Sequence, residues 1–137
     1  MISELRRYRL KPDKLRSWLA FFEETLSQSE RHGIRVEYAG WDAETGTFVW
    51  LRTFDDEADR VRRKSAFYGD PWWVEREAFA MDHIIEYDVT FLDAAIVRQG
   101  DDLVAQPCPA PGEAAGSRGD SPPDDWVQSR RSTFVRK

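Results

Sequence analysis

A chain of 137 residues with a net charge of −5 is expected to form one domain, and its acidic balance argues against nucleic acid as a partner, because phosphate recognition needs a basic surface. The single cysteine, Cys108, excludes an internal disulfide and fits a reducing, cytoplasmic setting. No stretch approaches the roughly 20 apolar residues of a membrane span, and the N-terminus has no apolar signal-peptide core.

The first element is a strand, Ile2 to Leu10, with an unusual charge load: Glu4, Arg6, Arg7 and Arg9 against Leu5, Tyr8 and Leu10. Lys11-Pro12-Asp13 is expected to open a helix, with Asp13 at the positive end of the dipole. Leu15, Trp18, Leu19, Phe22 and Leu26 then recur at helical spacing as one apolar stripe. His32-Gly33 closes the helix, glycine supplying a left-handed stop. Ile34 to Trp41 reads as the second strand and Thr47 to Phe54 as the third, joined by the hairpin-length loop Asp42 to Gly46.

Asp55 starts a second helical region. Its apolar stripe is thin (Ala58, Val61, Ser65 or Ala66), and the run Arg60 to Lys64 reads as a solvated face. Gly69-Asp70-Pro71 breaks it, and Trp72 to Met81 resumes as a short helix. Ile84 to Leu92 is the fourth strand, with Ile85, Tyr87, Val89 and Phe91 on one side and Ile84, Glu86, Asp88 and Thr90 on the other.

The order β-α-β-β-α-β predicts an α+β fold, the ferredoxin-like split βαβ arrangement. Its sheet order would be four-one-three-two, all antiparallel, with the first strand central. The folded domain is set at 1–93. Residues 94–137 hold five of the seven prolines and one of the six tryptophans, and read as a disordered tail. Within it, Trp126, Val127, Phe134 and Val135 are too few to fold alone. Arg118-Gly119-Asp120 spells a cell-adhesion tripeptide that a cytoplasmic chain would carry by chance.

Three stretches carry a resemblance to a known family. "ELRRYRLKPDKL" resembles the opening strand and helix start of NIPSNAP domains. "GWDAETGTFVWLRTFDD" is similar to the family's second hairpin, and "GDPWW" to its Asp-Pro-x-Trp helical segment. The third strand departs from the family's Trp-Arg-Tyr-Asp ending with Arg52-Thr53-Phe54-Asp55, and Met81-Asp82-His83 replaces a basic, proline-containing stretch. The resemblance implies a dimeric α+β barrel, two sheets facing each other with helices outside. It reaches a wider group that includes cofactor-independent monooxygenases, polyketide cyclases and haem-degrading enzymes.

The chemistry is expected on the face of the first strand that carries Glu4, Arg6 and Tyr8. A buried charge must be paired, so Arg6 is expected to meet Glu86 or Asp88 on the fourth strand. This network would face a polar pocket or the dimer seam. Two roles stand open: a structural lock on the dimer, or a small-molecule site. In the second, Glu4, Tyr8 and His83 are the candidate catalytic groups, moving a proton, and Arg6, Tyr38, Trp50 and Arg52 contact the substrate. The substrate class is a hydrophobic, carbonyl-bearing metabolite in an aromatic cavity, with no metal and no cofactor, since two distant histidines and one cysteine give no zinc spacing. The alternatives are a non-enzymatic dimeric interaction domain, and a cofactor-free monooxygenase or haem-handling protein with His83 as axial ligand. The expected partners are a second copy and a small hydrophobic molecule.

Overall fold

The computed structural model describes residues 1–107. Strand β1 (Ile2–Leu10), helix α1 (Leu15–Arg31), strands β2 (Arg35–Asp42) and β3 (Thr47–Phe54), helices α2 (Glu57–Tyr68) and α3 (Pro71–Asp82) and strand β4 (Ile84–Asp93) follow in that order. The four strands form one antiparallel sheet, β2-β3-β1-β4. This is the β-α-β-β-α-β arrangement, with the second helical region split in two. Asp70 caps α3 through its side chain to Trp72 N–H, and Pro71 occupies the first turn, where a missing N–H costs nothing.

Ordered structure continues past Asp93, where the tail was expected to begin. A short hairpin, β5 (Ile96–Gln99) with β6 (Asp102–Ala105), turns at Gly100. Cys108, Arg118-Gly119-Asp120, Trp126, Val127, Phe134 and Val135, and with them most of the expected disordered tail, lie outside the described residues.

The alternation in β1 is strict. Ile2, Glu4, Arg6, Tyr8 and Leu10 are buried, while Arg7 and Arg9 are exposed. The buried face is the one the helices cover. Trp18 of α1 packs edge-on against Tyr8, and Phe22 against Phe48 and Trp50. The seam of α1 is rotated from the expected stripe: Trp18, Phe21, Phe22, Thr25 and Ser29 are buried, and Leu15, Leu19 and Leu26 flank them. Asp13 is not in the helix. It takes a left-handed conformation (φ 66°) in the turn before it, one of the few residue types that does so readily.

The polar face of β4 is reversed from expectation. The register sets Arg6 beside Val89, and places Asp88 opposite Arg7 and Glu86 opposite Arg9. Arg7–Asp88 (3.2 Å) and Arg9–Glu86 (3.7 Å) are exposed pairs on the uncovered face. Arg6 therefore pairs with neither acid. The reason is burial: strand period two forces a choice, and Tyr87 and Val89 have more to gain under the helices than two carboxylates. For the same reason the Glu4–Arg6–Tyr8 network faces the helix layer and not the open sheet face. Among the described residues no helix is long and apolar enough to cross a membrane.

Candidate functional site between sheet and helices

Glu4 sits at the middle of the central strand, on the covered face, and is fully buried. Four cations converge on its carboxylate. Arg6 Nη1 donates to Oε1 at 2.9 Å and Arg52 Nε to the same oxygen at 2.8 Å. Arg60 Nη1 donates to Oε2 at 2.9 Å and Lys64 Nζ at 2.5 Å. All five side chains are at most 1% exposed. Arg6 reaches Glu4 because residues two apart on a strand share a face, and Arg52 because it stands opposite Glu4 in the β1–β3 register. Arg60 and Lys64 come from α2, one turn apart, so both descend on the same point.

This corrects the reading of α2. Its buried residues are Asp59, Arg60, Lys64 and Phe67, while Ala58, Val61, Ser65 and Ala66 face solvent. The helix turns its charges inward. Arg60 is further held by Glu57, at 2.5 and 3.1 Å, and its guanidinium lies 4.8 Å from the Phe91 ring centre.

Electrostatics fix the state of Glu4. Burial, the largest single influence, favours the neutral acid. The charges of Arg52, Arg6 and Lys64 act together against it and hold the carboxyl well below the usual carboxylate range. Glu4 is thus an anion at neutral pH that organises its cations, and a poor choice for a proton-transfer group.

The hydroxyl end of the network lies one step further along. Arg6 Nε donates to Tyr8 Oη at 2.8 Å, and Arg52 Nη2 to Tyr68 Oη at 3.0 Å. The Arg52 guanidinium also lies over Trp50, 5.0 Å from its ring centre. Beyond these, Tyr8, Trp18, Trp50, Phe67, Tyr68 and Trp73 line an apolar cavity of about 20 Å³, room for one water molecule. Two donors of the lining, Trp18 Nε1 and Trp50 Nε1, and Nη1 of Arg52, which bonds the lining residue Tyr68, are buried with no acceptor among the described residues. Buried donors are normally satisfied, so this corner of the core has a surplus of hydrogen-bond donors.

The NIPSNAP family model matches residues 3–96. The chain belongs to the NIPSNAP family. Solved structures agree with this at the level of fold. An uncharacterized NIPSNAP domain protein from Burkholderia xenovorans superposes with TM-score 0.64 at 19% identity, covering 69% of this chain and 95% of that one. A NIPSNAP family protein of unknown function from Agrobacterium tumefaciens gives TM-score 0.62 at 23% identity, covering 67% and 86%. A putative antibiotic biosynthesis monooxygenase from Nitrosomonas europaea gives 0.56 at 14% identity, covering 69% and 98%. No curated protein matches.

Within this NIPSNAP domain the residues singled out from sequence divide into three groups. Glu4, Arg6, Tyr8, Trp50 and Arg52 come together around one carboxylate and one cavity. Tyr38 does not join them: it follows an irregularity in β2, stands opposite Leu51 and is 66% exposed. His83 is buried but stands apart, its ring beside Trp18 and Phe79 and its nitrogens engaged by Ser17 and the Phe79 carbonyl. Arg60, Lys64 and Tyr68 were missed. The signal for the first two was present: an i, i+4 pair of cations on a helix whose apolar stripe is too thin to seat it.

Proposed function

We propose that this NIPSNAP domain binds a flat, hydrophobic metabolite carrying a carbonyl or similar acceptor oxygen, between the sheet and the helices. The observation that carries this reading is the donor surplus beside an aromatic lining: Arg52 Nη1 and the indole N–H groups of Trp18 and Trp50 are buried without acceptors. A ligand that brings oxygen satisfies them, and its ring system replaces apolar contacts. The cavity admits one water in this structure, so binding spreads the aromatic lining. Tyr8, not Glu4, is then the candidate group for exchanging a proton with the ligand oxygen, its own oxygen already held by Arg6. A haem-handling role is disfavoured by His83, which would have to give up a hydrogen bond before it could ligate iron.

The test is calorimetric titration with 2-hydroxy-1,4-naphthoquinone and, as a control lacking oxygen, naphthalene. The quinone is expected to bind and naphthalene to bind at least about tenfold more weakly, the equivalent of one hydrogen-bonded contact. Tyr8→Phe should weaken the quinone, and Tyr38→Ala should not. Equal binding of both probes ends the donor-surplus reading.

The second proposal concerns the uncovered sheet face. Leu5 of β1 and Val49 and Leu51 of β3 lie on it half-buried, next to the exposed pairs Arg7–Asp88 and Arg9–Glu86 that join β1 to β4. Among the described residues no helix covers it, and a second copy is the partner we assign to it, sheet against sheet.

A further inference from the structure

His83 has no part in the Glu4 network, yet it is 1% exposed and both its ring nitrogens are engaged. Nδ1 lies 2.8 Å from the Phe79 carbonyl oxygen and Nε2 lies 2.8 Å from Ser17 Oγ. A carbonyl only accepts, so Nδ1 carries the hydrogen. In the neutral ring Nε2 is then the acceptor, and the Ser17 hydroxyl donates to it. Ser17 itself is exposed. The result is a hydroxyl at the surface, a base directly beneath it, and a third group that fixes the tautomer of the base. This is the arrangement that activates serine nucleophiles.

Two surrounding features complete the requirements. Ser17 is the third residue of α1, which starts without a side-chain cap. The helical ladder begins with Trp18 N–H donating to the Lys14 carbonyl. The N–H groups of Leu15, Arg16 and Ser17 precede it, at the positive end of the helix dipole, where fixed donors can hold an oxyanion. Between α1 and α3 runs an open groove of about 410 Å³ lined by Phe21 and Glu24 of α1 and Glu75, Arg76 and Phe79 of α3. Ser17, Phe21 and Glu24 share one face of α1. The Phe79 ring lies 4.7 Å from that of His83 and 5.3 Å from that of Phe21. Phe79 thus joins the lining of the groove to the ring of His83.

We propose that Ser17 and His83 form a second site, separate from the core cavity, that transfers the acyl group of small esters with an apolar acyl part. Ser17 Oγ adds to the ester carbonyl carbon while its proton passes to His83 Nε2. The carbonyl electron pair moves to oxygen, at the helix N-terminus. When the carbonyl re-forms, the ester C–O bond breaks, and the departing alkoxide takes the proton from Nε2. Water then adds to the acyl-serine by the same route, with its proton passing to Nε2. Collapse returns that proton to Ser17 Oγ and releases the acid. No electrons are gained or lost, and no further reactant is needed.

The experiment uses the full chain with p-nitrophenyl acetate and a fluorophosphonate probe. The expected result is a p-nitrophenol burst and a fluorophosphonate adduct that peptide mapping places on Ser17, both lost in Ser17→Ala. His83→Gln should slow the burst by about 100-fold, the low end of a general base's contribution. Because His83 is buried and its substitution can unfold the chain, a second variant leaves it intact. In Ser17→Cys, iodoacetamide should alkylate position 17 about tenfold faster than Cys108 in the same molecule, since an adjacent base raises the thiolate fraction. Equal p-nitrophenyl acetate turnover by wild type and Ser17→Ala, or alkylation at position 17 no faster than at Cys108, overturns the proposal.

Discussion

Glu4 and Arg52 face each other across the β1–β3 pair, Nε to Oε1 at 2.8 Å, with neither side chain touching solvent. Arg52 gains from the contact as Glu4 does: burial disfavours its charge, and Glu4 beside it leads the influences that raise its pKa above the usual arginine value. The pair is the nucleus of the five-membered cluster, and the cluster's energetics turn on the single carboxylate that all four cations share.

Replacing that carboxylate is therefore expected to cost far more than replacing any one cation. Glu4→Gln leaves four buried cations without their common anion and should lower stability by about 3–5 kcal/mol, measured by urea unfolding. Lys64→Met in the Glu4→Gln background should restore part of the loss by removing one repelling charge. The double-mutant cycle should show a coupling of about 0.5–3 kcal/mol. Additive effects would mean that Lys64 and Glu4 do not interact.

The pH dependence follows from the same carboxylate. Its pKa is lowered in the folded chain, so its stabilisation is present above the unfolded carboxylate value, about 4.3, and is lost as pH falls through the folded value. The thermal midpoint should drop as pH is taken below about 4. The Glu4→Gln variant should show a shallower acid limb than wild type. Parallel limbs would show that other carboxylates govern acid unfolding.

Helix α2 should be tolerant on the side that looks apolar in sequence and intolerant on the side that looks charged. Val61 is exposed and Arg60 buried. Val61→Lys should change stability by no more than about 0.5 kcal/mol. Arg60→Ala should be several times more damaging, through lost packing on Phe91 as well as lost charge. Equal effects would place the helix in a different rotation.

Self-association through the open sheet face should be broken by Leu51→Lys, read as a halved mass in light scattering after size exclusion. Asp88→Ala on the same face should change the stability of the isolated subunit by less than about 1 kcal/mol, because its pair with Arg7 is exposed. A monomeric wild type ends this proposal.

Much of the fold was legible in the sequence. The element order and sheet order follow from hydrophobic periodicity and turn residues, which are local signals. The site was half legible. Glu4, Arg6 and Tyr8 stand out because a central strand has no room for idle charges. Arg60 and Lys64 are signalled only by an apolar stripe too thin to seat their helix, because a cationic run on a helix is ordinarily solvated and only the distant Glu4 makes burial favourable. The misassigned partner of Arg6 has a similar origin. Choosing which face of β4 turns inward requires weighing Tyr87 and Val89 against Glu86 and Asp88, and the register alone settles which arginine each acid meets. Ser17 gave no sequence signal at all: its relation to His83 exists only across 66 residues of chain.

A helix that docks by its charges has one seat. Rotating α2 by a single residue would bring Val61 and Ser65 over Glu4 in place of Arg60 and Lys64, stranding an anion in the core. An oily underside would slide at little cost, but this one cannot. The contacts that hold it span 56 and 60 residues, so α2 can settle only once distant β1 has been brought to it. Assembly of the domain should accordingly be all-or-none at this step, with α2 among the last elements to acquire native contacts and its substitutions acting mainly on the unfolding rate.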